Sequence, residues 1–156
     1  MGKAMFYHVT RNPLEVTAAN LLTRAVGQGM RVAVRARDQA RLEWLDAHLW
    51  LGDKASFLPH GLAGGAHDAD QPILLTTHTT SPNNAQIVMT IDAADALPEE
   101  VEHLERLWIL FDGNDPAAVA HARGQWKAIT ATGVIAEYWS EDSGRWEKKA
   151  QSGGEG

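Results

Sequence analysis

Arg123, Trp126 and Lys127 stand at i, i+3 and i+4, the spacing that sets side chains beside one another on one face of a helix. Two cations flanking an indole suit a peptide that ends in an aromatic side chain and a free carboxylate. The guanidinium forks onto the carboxylate while the ring packs alongside. The same spacing also fits a plainer arrangement, in which Trp126 turns inward with Val119 and Ala122 and the cations lie along the surface. Trp50 and Phe57 are the other aromatic candidates, Phe57 just before Pro59-His60. Aromatics next to a Gly/Pro loop anchor partners or fill cores, and spacing does not choose between the two.

Catalytic patterns are harder to find. A nucleotide-binding α/β enzyme needs a glycine-rich turn between its first strand and first helix, so that phosphate can approach the helix N-terminus. Here that turn reads Thr10-Arg11-Asn12-Pro13, with no glycine and one N–H donor removed by proline. The loop Gly61 to Asp70 is glycine-rich but lacks the Gly-Lys-Ser/Thr ending of a P-loop. It is where a nucleotide- or metal-dependent enzyme, the alternative reading, would place its ligand. Seven histidines, among them His60, His67, His78, His103 and His121, match no ligand spacing. The acidic pairs Asp92/Asp95, Glu99/Glu100 and Asp68/Asp70 face no base, and no Gly-x-Ser-x-Gly elbow occurs. The expectation is a protein without an active site or cofactor of its own, which works by binding other proteins.

Composition agrees with a folded chain, at 44% hydrophobic and 22% charged residues. Its 156 residues suit one domain. The absence of cysteine removes disulfides, thiolate zinc sites and a cysteine nucleophile, and the cytoplasm is the expected compartment. No apolar run approaches the roughly 18 to 20 residues that span a bilayer. Met1 to Val9 carries no signal-peptide pattern, so neither export nor membrane insertion is expected. A net charge of −6 argues against direct DNA binding by the chain as a whole, because displacing phosphate counterions takes a basic surface.

The elements that must position these residues alternate. Ala4 to Val9 reads as a buried strand, and Asn12-Pro13 as the N-cap and first residue of a helix ending at Gly27 and Gly29. Arg31 to Arg35 is a second strand, followed by a helix from Asp38 to about Trp50. Further strands are expected at Pro72 to Leu75, Gln86 to Ile91, Leu107 to Phe111 and Val134 to Trp139. A short acidic helix or turn lies at Pro98 to Arg106, and Asp115-Pro116 opens the last long helix, to about Thr130. Alternating strands and helices imply a Rossmann-like three-layer α/β fold, with a mostly parallel sheet and helices on both faces. Residues 1–147 are expected to form one domain and 148–156 a frayed, flexible tail.

Phe6-Tyr7, Gly29-x-Arg31-Val32, Leu45-Asp46 with Leu49-Trp50, and above all Ser56-Phe57-x-Pro59-His60-x-Leu62-Ala63-Gly64 resemble the chi subunit of bacterial DNA polymerase III. The resemblance runs over most of the chain. It implies a non-catalytic component of a DNA-directed DNA polymerase, acting in DNA replication and repair within the nucleoid-associated replisome. It further implies contacts with the psi subunit of the clamp loader and with the acidic C-terminal tail of single-stranded DNA-binding protein, DNA being met only indirectly. By that resemblance Arg123, Trp126 and Lys127 fall at tail-binding positions. Val119 stands where other members carry a second basic residue, which makes this surface less basic. Trp50, Phe57, Pro59 and His60 fall on the other surface, which faces psi or a helicase partner.

Overall fold

The computed structural model describes residues 2–50, 60–78 and 82–152. In chain order the elements are β1 (Lys3–Val9), α1 (Leu14–Gly27), β2 (Val32–Arg35), α2 (Gln39–Trp50), β3 (Gly61–Leu62), β4 (Ile73–Thr76) and β5 (Ile87–Thr90), then β6 (Arg106–Asp112), α3 (Pro116–Thr130), β7 (Ile135–Ser140) and β8 (Glu147–Ser152). Short 3-10 turns occupy Asp68–Asp70 and Pro98–His103. Eight strands form one sheet in the order β3-β4-β2-β5-β6-β1-β7-β8, every pairing parallel except β7 with β8.

The apolar pattern explains the layering. Every residue of β2, β4 and β5 is buried, as expected of parallel strands covered on both faces. Along β1 successive side chains alternate between two cores. Met5, Tyr7 and Val9 join the one beneath α1 and α2, built around Leu22, Leu42, Leu45, Ile87 and Trp108. Ala4 and Phe6 join the one beneath α3, with Leu107, Ile109, Phe111, Ala122 and Ile129. The expected three-layer architecture is therefore present.

Helix α3 begins as its sequence dictates: the Asp115 carboxylate accepts from the Ala117 N–H at 3.0 Å, and Pro116 takes the first position where no intrahelical donor is needed. Gly133, at a φ of 84°, turns the chain back toward β7.

Two expectations need correction. Asn12 does not cap α1: Pro13 holds the N-cap position in extended backbone with no side-chain bond, and the helix starts one residue later, at Leu14. The Asn12 amide is engaged elsewhere, by Glu141. Lys148 to Ser152 is not a frayed tail either; it belongs to β8, which pairs antiparallel with β7. β8 buries almost none of its side chains and gains chiefly the backbone ladder, so its sequence carries no apolar alternation. Residues 153–156 of the expected tail lie outside the described residues.

Candidate functional site

On α3, Arg123 and Lys127 are exposed, while Trp126 between them is half-buried. Its indole meets the Phe6 ring edge-on at 5.2 Å and the Tyr138 ring edge-on at 6.0 Å. The ring leans on the core beneath α3 and is only partly exposed. Edge-to-face aromatic pairs add about 0.5–1.5 kcal/mol beyond the area they bury, so the platform is braced from below.

The bracing continues inward. The Tyr138 hydroxyl hydrogen-bonds His8 Nδ1 at 3.1 Å, and the His8 ring stacks on Phe111 at 5.2 Å. Burial pushes the Tyr138 hydroxyl above its ordinary pKa, and the positive charge of Arg123 acts against it. Tyr138 was missed in the sequence. Its signal is register: on β7 it follows Ala136 by two residues and so faces the α3 side. Val119 is half-buried against the same core, one turn before Arg123.

Neither Arg24 nor Arg106 stands in for the cation absent at Val119. Both act electrostatically on Tyr7, whose side chain points to the α1 side of the sheet, opposite α3. The cations of the α3 platform are Arg123 and Lys127.

The second predicted surface is half visible. Trp50, the last residue of α2, is 53% exposed, and its ring lies 4.4 Å from that of His60. His60 is itself buried, with Nε2 3.1 Å from Asp46 Oδ1, so the exposed Trp50 ring rests on a fixed histidine. Phe57 and Pro59 lie outside the described residues. Arg31, part of the Gly29-x-Arg31-Val32 motif, fastens the chain nearby by donating to the carbonyls of Ala69 and Asn83.

The two stretches that could have cradled phosphate are both filled by carboxylates of the chain itself. In the β1–α1 turn the backbone N–H groups of Thr10, Arg11 and Asn12 converge on Glu141 Oε2 at 2.9, 3.0 and 3.2 Å, and Asn12 Nδ2 donates to Oε1 at 2.7 Å. Burial works against the charge on Glu141, but these hydrogen bonds outweigh it and hold the carboxyl below its ordinary pKa. In the glycine-rich loop, Gly64 and Gly65 donate their N–H groups to the two oxygens of Asp68 at 2.9 and 3.0 Å. Successive N–H groups of this kind form an anion-binding nest, and in both places the anion is built in. Among the described residues, no three His, Asp or Glu side chains lie close enough together to hold a metal ion.

A family model described as DNA polymerase III chi subunit, HolC, matches residues 1–137. The chain belongs to the chi subunit family of DNA polymerase III. Its relatives include the probable DNA polymerase III subunit chi of Rickettsia prowazekii, 24% identical over 72% of this chain and 71% of that one. The Haemophilus influenzae subunit chi is 26% identical over 83% of this chain and 91% of its own length. That of Pseudomonas aeruginosa is 31% identical over a shorter stretch, 52% of this chain and 57% of the relative. The family match spans both surfaces described above, from β1 through α3 and into β7. As a chi-family member the chain is part of a DNA polymerase III assembly, and protein partners there follow from that membership.

Proposed function

We propose that this chain is a non-catalytic accessory subunit of the DNA polymerase III holoenzyme. In this reading it links the clamp loader, through psi, to the acidic C-terminal tail of single-stranded DNA-binding protein during replication and repair, in the cytoplasm. The observation that carries it is the α3 platform: exposed Arg123 and Lys127 on either side of a tryptophan braced by Phe6 and Tyr138. A terminal carboxylate forks onto Arg123, the last aromatic ring lies against the exposed part of Trp126, and Lys127 meets the acidic residues that precede it. Pre-ordering of the indole lowers the cost of fixing it on binding. Psi or a helicase partner takes the other surface, where Trp50 supplies the exposed aromatic anchor.

The alternative, a nucleotide- or metal-dependent enzyme built on the Gly61 to Asp70 loop, gains no support from the Gly64 and Gly65 N–H groups, which are committed to Asp68.

Calorimetric titration with a peptide of the tail sequence tests the platform. Arg123→Ala is expected to weaken binding about 10- to 100-fold, the loss of one charged hydrogen-bonded contact of about 1.5–3 kcal/mol. Val119→Lys adds a cation one turn away and is expected to tighten binding up to about tenfold. If neither variant moves the affinity, the tail does not bind at α3.

A further inference from the structure

On the opposite side of the sheet from α3, a cavity of about 240 Å³ opens between α1 and the β7–β8 hairpin. Its walls are Met5 and Tyr7 of β1, Trp139 of β7, Trp146 at the foot of β8, and Asn20 and Arg24 of α1. Tyr7 belongs to the core beneath α1, and Trp139 and Trp146 pack against that core while part of each ring stays at the opening. Tyr7 is buried, and Trp146 closes over it edge-on at 5.3 Å. Trp139 is fixed in place by its indole N–H, which donates to Glu137 Oε1 at 3.0 Å. Both tryptophans remain half-exposed and line the mouth.

The polar side is uncommitted. Among the described residues, no hydrogen bond or ion pair engages the side chains of Arg24 or Asn20, and both lie on the exposed rim of α1. Arg24 nonetheless lines the same cavity as Tyr7, Trp139 and Trp146. Arg24 is the cation that lines the mouth, while the nearby Glu137 carboxylate is engaged by the Trp139 indole N–H and by Lys3. Drug-sized molecules occupy pockets of about 300 Å³ and more, so this cavity suits one ring system with a short substituent.

We propose that this pocket is a second binding site, for a single planar aromatic ring that carries an anionic group. The ring lies against Trp139 and Trp146, and the anion is held by the Arg24 guanidinium with the Asn20 amide beside it. Ring stacking supplies affinity without demanding one ring identity, and the arginine selects the anion. A nucleotide and an aromatic carboxylate share this chemistry. The site is independent of the α3 platform, on the other face of the sheet.

The test follows the indole N–H signals of Trp139 and Trp146 in ¹H–¹⁵N spectra, assigned with Trp139→Phe and Trp146→Phe. The probes are thymidine 5′-monophosphate against thymidine, and N-acetylphenylalanine against its C-terminal amide. At least one anion is expected to shift both signals at millimolar concentration, with its neutral counterpart about tenfold weaker or more. Whichever anion does so identifies the source. Arg24→Ala, at an exposed position, is expected to abolish the preference for the anion, while Arg123→Ala leaves it intact. If neither anion shifts the signals, or if Arg24→Ala binds as the parent does, the proposal is overturned.

Discussion

Replacing Glu141 with alanine is expected to cost the fold about 3 kcal/mol. The side chain is only 2% exposed and receives four hydrogen bonds from Thr10, Arg11 and Asn12. A hydrogen bond to a charged group contributes about 1.5–3 kcal/mol. The full sum is not lost, because Arg11 and Asn12 are exposed and water can reach part of the nest once the carboxylate is gone. Glu141→Gln keeps the shape but turns one acceptor into a donor, so roughly half the loss is expected. Urea unfolding at neutral pH measures both.

Acid adds an independent check on the same residue. The folded carboxyl titrates below its ordinary value of 4.5, to which the unfolded chain returns it. The ionised form is thus favoured by folding, and its contribution is complete above about pH 4.5 and disappears as pH falls through the lower folded value. Glu141→Gln is expected to remove that part of the acid sensitivity. Unchanged acid profiles for parent and variant contradict the built-in-anion description of the turn.

Arg35→Ala is expected to be the most damaging single change, at about 3–5 kcal/mol. Arg35 ends β2 in the middle of the sheet, 3% exposed, and its guanidinium grips Glu100 through two nitrogens at 3.1 and 2.9 Å while donating to the Asp95 carbonyl at 3.1 Å. Glu100 is itself only partly exposed, with 22% of its side chain open, so removing the buried guanidinium leaves its charge largely uncompensated. Glu100 retains one contact, accepting the Leu97 N–H at 2.7 Å, and with it the 3-10 turn at Pro98–His103. The double variant Arg35→Met with Glu100→Gln removes both charges and is expected to recover a substantial part of the loss. A double variant no more stable than Arg35→Ala contradicts the pair as the cause.

How far the sequence carried the structure differs from element to element, for physical reasons. α3 was legible because its signals are local: an Asp-Pro start, apolar residues at helical spacing, and a glycine stop. The strands of the parallel sheet were legible because covering both faces makes them short, continuous apolar runs. β8 was invisible because Glu147 to Ser152 holds its place by backbone pairing at the sheet edge, which composition does not report. The start of α1 was misread for a related reason. Asn12 is a good cap by type, but the carboxylate it engages sits 129 residues away.

The candidate site divides along the same line. The shared face of Arg123 and Lys127 follows from i, i+4 spacing alone. The orientation of Trp126 depends on Phe6 and Tyr138, which only the pairing of β1 with β7 brings beneath it. Arg35 showed a charge at a strand end but not its partner, since Glu100 lies beyond β5.

In the proposed function, α3 of this chi-family chain holds an acidic peptide tail by its terminal carboxylate, and calorimetry with one peptide in two forms tests that reading most directly. The tail peptide with a free C-terminus is expected to bind at least about tenfold more tightly than the same peptide amidated, a difference that Arg123→Ala erases. Equal affinity for the two forms on the parent protein contradicts it.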